Sequence, residues 1–135
     1  MATASNNYFY ALGRRKNATA RVRLSSKKGG FVINEKPAAE YFDSSKYHLN
    51  DLLLAFTVLE LDPENYTVSV KVKGGGHASQ VDAIRLGIAK ALTEINTDFK
   101  GTLRRAELLG RDPREKERKK FGYLGARKKR QYTKR

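Results

Sequence analysis

Residues 111–135 hold almost nothing from which a hydrophobic core could be built, so whatever folds in this chain must fold from the residues before them. The segment carries twelve cations, Arg111, Arg114, Lys116, Arg118, Lys119, Lys120, Arg127, Lys128, Lys129, Arg130, Lys134 and Arg135, against Asp112, Glu115 and Glu117. It therefore holds a net +9 of the chain's +14. Phe121, Tyr123 and Tyr132 are interleaved with these charges. Charge for phosphates and ring faces for bases or sugars thus occur together, the pairing expected of a nucleic-acid-binding segment and not of a merely solvated tail.

At 135 residues the chain fits one domain plus a tail, and we place the body at residues 1–110 and the tail at 111–135. About 110 residues suffice to bury roughly 65% of the surface of the unfolded chain. Charge within the body is uneven. Residues 1–34 contain seven cations and no carboxylate, whereas residues 35–66 contain seven carboxylates against Lys36 and Lys46. Two basic zones flanking an acidic middle favour a polyanion-binding surface made from both chain ends. The sequence has no cysteine, which excludes disulfides, thiolate metal sites and cysteine nucleophiles. The longest apolar run, Leu52 to Leu59, is too short for a membrane span. The first residues, MATASNNYFY, lack the basic and apolar blocks of a secretory signal, so we expect a soluble intracellular protein without membrane partners.

Two short extended segments around a basic turn are expected between Asn7 and Leu24. Ala20, Val22 and Leu24 alternate with Arg21, Arg23 and Ser25 there, the two-residue period of a half-buried strand. Lys27 to Gly30 read as a turn and Phe31 to Asn34 as a third strand. Pro37 suits the first turn of a short helix ending at Phe42. Asn50 is the expected cap of a second helix bearing Leu49, Leu52, Leu53 and Phe56. Tyr66 to Lys73 is the clearest strand, with Tyr66, Val68, Val70 and Val72 on one face and Thr67, Ser69, Lys71 and Lys73 on the other. The main helix follows Gly74-Gly75-Gly76-His77. Ser79 and Asp82 form its expected capping box, and Val81, Ile84, Ile88, Ala91, Leu92 and Ile95 its buried stripe. A last helix capped by Thr102 turns Leu103, Ala106 and Leu109 inward and ends at Gly110. A further turn of helix is expected at Glu115 to Lys120.

Three motifs bear on function. Gly13-Arg14-Arg15-Lys16-Asn17 puts three cations on a turn, and Arg21 and Arg23 extend that patch. The GGGH turn at residues 74–77 joins a strand to a helix N-terminus, a geometry able to cradle phosphate. It has neither the Lys-Ser or Lys-Thr pair of a Walker loop nor the GxGxxG fingerprint, and a tight bend packed against another chain or RNA is the preferred reading. His48 and His77 sit on different elements, and no HExxH or GxSxG pattern occurs. Nothing assembles a nucleophile, base and oxyanion donor, so no enzyme, cofactor or metal is expected.

The motifs GRRKNATARVRL (13–24), INEKPAAEYF (33–42), VKGGGHASQVDAIRLGIAKAL (72–92), GRDPREKERKKFG (110–122) and ARKKRQYTKR (126–135), in this order, resemble the family of the ninth protein of the small ribosomal subunit, bacterial or organellar type. The chain departs from the family pattern at Ser79, Asp82, Gly110 and Thr133. The resemblance implies an α+β fold, a two-layer sandwich with helices on one face of a four-stranded sheet and a left-handed β-α-β crossover that ordinary topology disfavours, similar to the second domain of the fifth small-subunit protein. It implies a cytoplasmic or organellar ribosome, the 3′ major domain of the ribosomal RNA and neighbouring head proteins as partners, and no homo-oligomer. By position it places Lys134 and Arg135 at the peptidyl-site tRNA and Arg127, Lys128, Lys129 and Arg130 along the path of the tail. The full set of expected RNA-binding residues comprises Arg14, Arg15, Lys16, Arg21, Arg23, Lys71, Lys73, Arg111, Arg114, Arg118, Lys119, Lys120, Tyr123, Arg127, Lys128, Lys129, Arg130 and Tyr132. Two other readings compete. A ribonuclease P protein-like subunit would carry its cation cluster on a helix, and a small phosphotransferase would use the GGGH turn and lose activity when His77 is changed.

Overall fold

The computed structural model describes residues 7–135. Strands β1 (Phe9–Arg15) and β2 (Ala18–Ser25) form an antiparallel hairpin around Lys16 and Asn17. So short a connection needs a residue at positive φ, and Lys16 supplies it at 50°. On its other side β2 pairs antiparallel with β5 (Thr67–Lys73), with Val22 opposite Val70. Strand β3 (Phe31–Ile33) runs parallel to β5, and the two-residue β4 (Lys36–Pro37) closes that edge. The order is β1-β2-β5-β3-β4, five strands where four were expected. The fifth arises because Asn34 and Glu35, at φ 47° and 69°, turn the chain back on β3. Pro37 faces Val32 on this edge strand, where a residue without an N–H is tolerated. It thus precedes the short helix α1 (Ala38–Tyr41) instead of lying in its first turn. Asn34 also extends the parallel ladder with its side chain: Nδ2 donates to the Val72 carbonyl (3.0 Å) and Oδ1 accepts from the Val72 N–H (2.9 Å).

The parallel β3–β5 pair is bridged by α1, α2 (Lys46–Leu52) and α3 (Leu54–Val58), followed by a 3-10 turn at Pro63–Asn65. Helix α2 starts after Ser45, so Asn50 lies inside it and not at its cap. Leu53 joins α2 to α3 with a right-handed helical backbone, which lets the run Leu52, Ala55 and Phe56 face one way and be buried. Helix α4 (His77–Ile95) begins two residues before Ser79, with Gly76 as N-cap and no side-chain cap. The expected capping box is absent because Gln80 already holds the turn. Its amide donates to the Gly74 carbonyl (3.2 Å), and Tyr41 donates its hydroxyl proton to Gln80 Oε1 (2.9 Å). Gly74 and Gly75, at φ 79° and 70°, make a bend that packs against Asn17 and Ala18 of the chain's own hairpin. The expected stripe of α4 is buried apart from half-buried Ile95, and Ala83, Leu86, Gly87 and Ala89 are buried as well. The wider burial reflects a helix that meets β1 and β2 on one side and α2, α3 and α5 (Phe99–Arg105) on others.

Helix α5 contains Thr102, with Asp98 at its N-cap. It ends at Glu107, which takes the left-handed conformation at φ 59° while Leu108 N–H donates to the Leu103 carbonyl (3.0 Å) and Glu107 N–H to that of Arg104 (3.1 Å). In this Schellman arrangement the apolar partners are Leu103 and Leu108, both buried. Leu108 therefore points inward where Leu109 was expected, Ala106 is exposed, and Gly110 lies past the helix. The same arrangement closes α1 at Asp43 and α3 at Glu60. Residues 111–120 form no helix; Glu117 instead accepts hydrogen bonds from Lys120 and, across a loop, from Arg127 (2.9 Å). Among the described residues, no helix is long and apolar enough to cross a membrane.

The tightest packing lies between β1 and α4. A Cβ added to Gly13 would stand 1.7 Å from the Ala83 carbonyl oxygen, and one added to Gly87 would stand 2.5 Å from Val22 Cγ2. Gly13→Ala is expected to destabilise the fold by about 3 kcal/mol, since backbone and not a flexible side chain must yield. Gly30→Ala, where the added atom meets nothing within 4 Å, is the control. Urea unfolding checks this: an unchanged midpoint for Gly13→Ala would show that strand and helix separate without cost.

Candidate nucleic-acid interface

Strand alternation divides the basic residues into two populations. Ala11, Ala20, Val22, Leu24, Val68, Val70 and Val72 face the helices and are buried. The intervening positions leave Arg14, Arg21, Arg23, Lys71 and Lys73 exposed on the other face. The register sets Arg21 opposite Lys71 and Arg14 and Lys73 each opposite Thr19. No carboxylate occurs in β1, β2 or β5, so these five positive charges repel one another without a local counter-charge. Lys16 adds a sixth at the exposed hairpin tip. Two residues that sequence reasoning missed share this face. The Arg23 guanidinium lies over the Tyr8 ring, 5.2 Å from its centroid, and Tyr10 is the cross-strand partner of Arg23. Both rings are nearly half exposed, at 44% and 46%. The period-two alternation that marked Arg21 and Arg23 runs through Tyr8 and Tyr10 also and would have found them.

Arg15 has the opposite parity to Arg14 and a different fate. Its side chain is only 12% exposed and lies between Asp82 of α4 (3.5 Å) and Asp112 at the root of the tail (3.3 Å). It also donates to the backbone carbonyls of Asp112 and Arg114. Arg85 continues the alternation, pairing with Asp82 (3.2 Å) and with Asp51 of α2 (2.6 Å), while Arg114 grips Asp112 through two nitrogens. Three carboxylates and three guanidiniums thus run in alternation from α2 through α4 and β1 to the tail. Arg114 donating to the side chain of Asp112 is the main reason that this carboxyl is held well below the usual carboxylate range, aided by the Arg114 N–H and the charges of Arg114 and Arg15. The same bond raises Arg114. Glu117 is lowered by Lys120 first and Arg127 second.

Past this root the expected binding residues lie open. Arg111, Arg114, Arg118, Lys119, Arg127, Lys128, Lys129, Arg130, Lys134 and Arg135 are exposed, as is Tyr132 at 86%, whereas Lys120 and Tyr123 are half-buried. A short loop forms where Tyr123 bridges to Lys129 and Leu124 N–H donates to the Lys128 carbonyl (2.9 Å). The structure therefore brings two cationic surfaces, sheet and tail, onto one body.

A sheet and tail of this composition match the family model described as ribosomal protein S9/S16 over residues 13–135. The chain belongs to this family. Among curated relatives, the small ribosomal subunit protein uS9 of Malacoplasma penetrans is 45% identical over 131 residues, covering 97% of this chain and 99% of the relative. That of Mycoplasma genitalium is 46% identical over 129 residues, covering 94% and 96%, and that of Sorangium cellulosum 44% over 128, covering 93% and 95%. The matched region contains the sheet cations and the entire tail. Asp82 is the carboxylate that links Arg15 to Arg85.

The lowered carboxyls fix the direction of a pH effect. Because folding depresses Asp112, its contribution is fully present above its ordinary value of 3.8 and is lost as pH falls through the lowered value. The contacts that Asp112 makes with Arg114 and Arg15 are expected to persist from pH 7 to about 4 and to release only in stronger acid. Arg15→Gln should release them at neutral pH, seen as faster tryptic cleavage after Arg111 and Arg114. Equal cleavage rates in variant and parent would remove Arg15 from this role.

Proposed function

We propose that this chain is a non-catalytic constituent of the small ribosomal subunit that binds ribosomal RNA through both cationic surfaces and reaches the peptidyl-site tRNA with its tip. The observation that carries the reading is the tail itself. A net +9 segment is fastened at its root to the body and has no regular secondary structure beyond it. A chain with such charge gains order when phosphates offset its self-repulsion and lost entropy. Fully extended, twenty-five residues span about 80 Å, far beyond the edge of a body of this size. The body, residues 1–110, docks on the 3′ major domain beside other head proteins, and the tail, residues 111–135, threads between RNA elements. Family membership, and relatives named as small-subunit proteins, support this location. The glycine-rich turn at residues 74–77 serves packing in this reading: Gly74 and Gly75 sit against the hairpin, and Gln80 occupies the carbonyl of Gly74.

Truncation after Gly110 tests the electrostatic part. The core includes no residue beyond Leu109, so the body should remain folded. If about 8 phosphates are engaged by the tail, the slope of log affinity against log salt should lose about 6 of its magnitude. An unchanged slope would sink the tail as principal contact.

Deleting only Lys134 and Arg135 tests the tip. Ten of the twelve tail cations remain, so subunit incorporation should be nearly normal, while peptidyl-site tRNA should dissociate about fivefold faster, the two exposed contacts together being worth ~1 kcal/mol. Equal off-rates at full occupancy would exclude these two residues as tRNA ligands.

A further inference from the structure

We propose that the outer face of the sheet is a stacking site for unpaired RNA nucleotides, with Tyr8 and Tyr10 as the base platform and Arg21, Lys71 and Lys73 as the phosphate track. The inference rests on the RNA-binding reading and specifies the form of RNA that this face takes. Its starting point is segregation of chemistry along the strands. One open depression is lined by Tyr8, Arg23, Thr67 and Ser69, the other by Thr19, Arg21, Lys71 and Lys73. Tyr8 and Tyr10 thus stand at one end of the face beside Arg23 and Lys27, and Arg21, Lys71 and Lys73 stand at the other, where there is no ring. A base projecting from a backbone matches that division, with its π face on a ring and its phosphate beside a charge.

The tyrosines are available for this. Nearly half of each is exposed, and the Tyr8 ring already carries the Arg23 guanidinium at 5.2 Å, a planar cation that can extend the stack. Same-face side chains recur about every 6.8 Å along a strand and about 4.8 Å across strands, so the cations form a grid, not a single point. Paired bases cannot present their faces to it. A duplex offers the grid phosphates only, and the rings then add nothing. An acidic protein surface would satisfy the cations equally but gives no reason for two exposed tyrosines beside them, so we commit to RNA.

The test uses the full chain and a nine-residue oligouridylate carrying 4-thiouridine. Tyr8→Leu with Tyr10→Leu is expected to weaken binding about tenfold with an unchanged salt slope and to abolish photo-crosslinks within residues 7–15. Tyr8→Phe with Tyr10→Phe should bind within about twofold of the parent, because stacking needs the ring and not the hydroxyl. Duplex RNA of equal length should not distinguish the three proteins. Matching circular dichroism and urea midpoints exclude misfolding as the cause. Unchanged affinity of the leucine variant, with crosslinks confined to residues 111–135, would overturn this proposal alone and leave the face to a protein neighbour. Absence of RNA binding by the parent chain would overturn the wider reading too.

Discussion

The architecture depends on how closely β1 lies against α4. With hydrogen at Gly13 and Gly87, backbone meets backbone where any side chain would hold the two apart. This approach seals one side of the core, where Ala11, Ala83 and Val22 are buried. It also sets the reach of the residues next along the strand. Arg15, two residues beyond Gly13 and so on the same side of β1, comes to lie beside Asp82, one residue before Ala83 on the helix. A contact required by packing thereby becomes the seat of an ion pair.

That ion pair gives the two arginines of one turn separate tasks. Arg14 is directed to solvent with the sheet cations, and Arg15 is drawn inward between two aspartates. Such a partly buried guanidinium is tolerable because its charge is neutralised and its planar donors engage carboxylates and carbonyls together. The outcome is mechanical: the first residues of an otherwise unsupported tail are tied to the strand and helix at the centre of the body. The direction in which the tail leaves the body is set there.

The sequence was legible where a period was long and clean. Alternation in residues 18–25 and 67–73 gave the strands and their faces, and the helical stripe from Val81 to Leu92 gave the main helix. Helix ends were not legible, for a definite reason. Ser79, Asn50 and Thr102 have cap chemistry, yet the helices start after Gly76, Ser45 and Asp98, none of which makes a side-chain cap hydrogen bond. Three helices close through a left-handed residue at Asp43, Glu60 and Glu107, where glycine is the usual choice and glutamate has no local preference, and at α5 the apolar contact of Leu103 with Leu108 offsets the local cost. Fold membership came from motif order, which no single period could supply. Within the candidate interface, Arg21, Arg23, Lys71 and Lys73 followed from alternation. The inward path of Arg15 did not, because Asp112 is 97 residues away in sequence.

The acidic stretch from Glu35 to Glu64 acquires a meaning once the fold is known. Its seven carboxylates lie on α1, α2 and the turns around them, within the connection from β3 to β5, while most of the cations occupy the bare sheet and the tail. Charge is consequently divided unequally between the crossover and the open face of the sheet. In the field of a polyanion such a division exerts a torque before any contact forms, which favours approaches led by the cationic face. Orientation is then settled during approach, and fewer encounters are wasted on the wrong face.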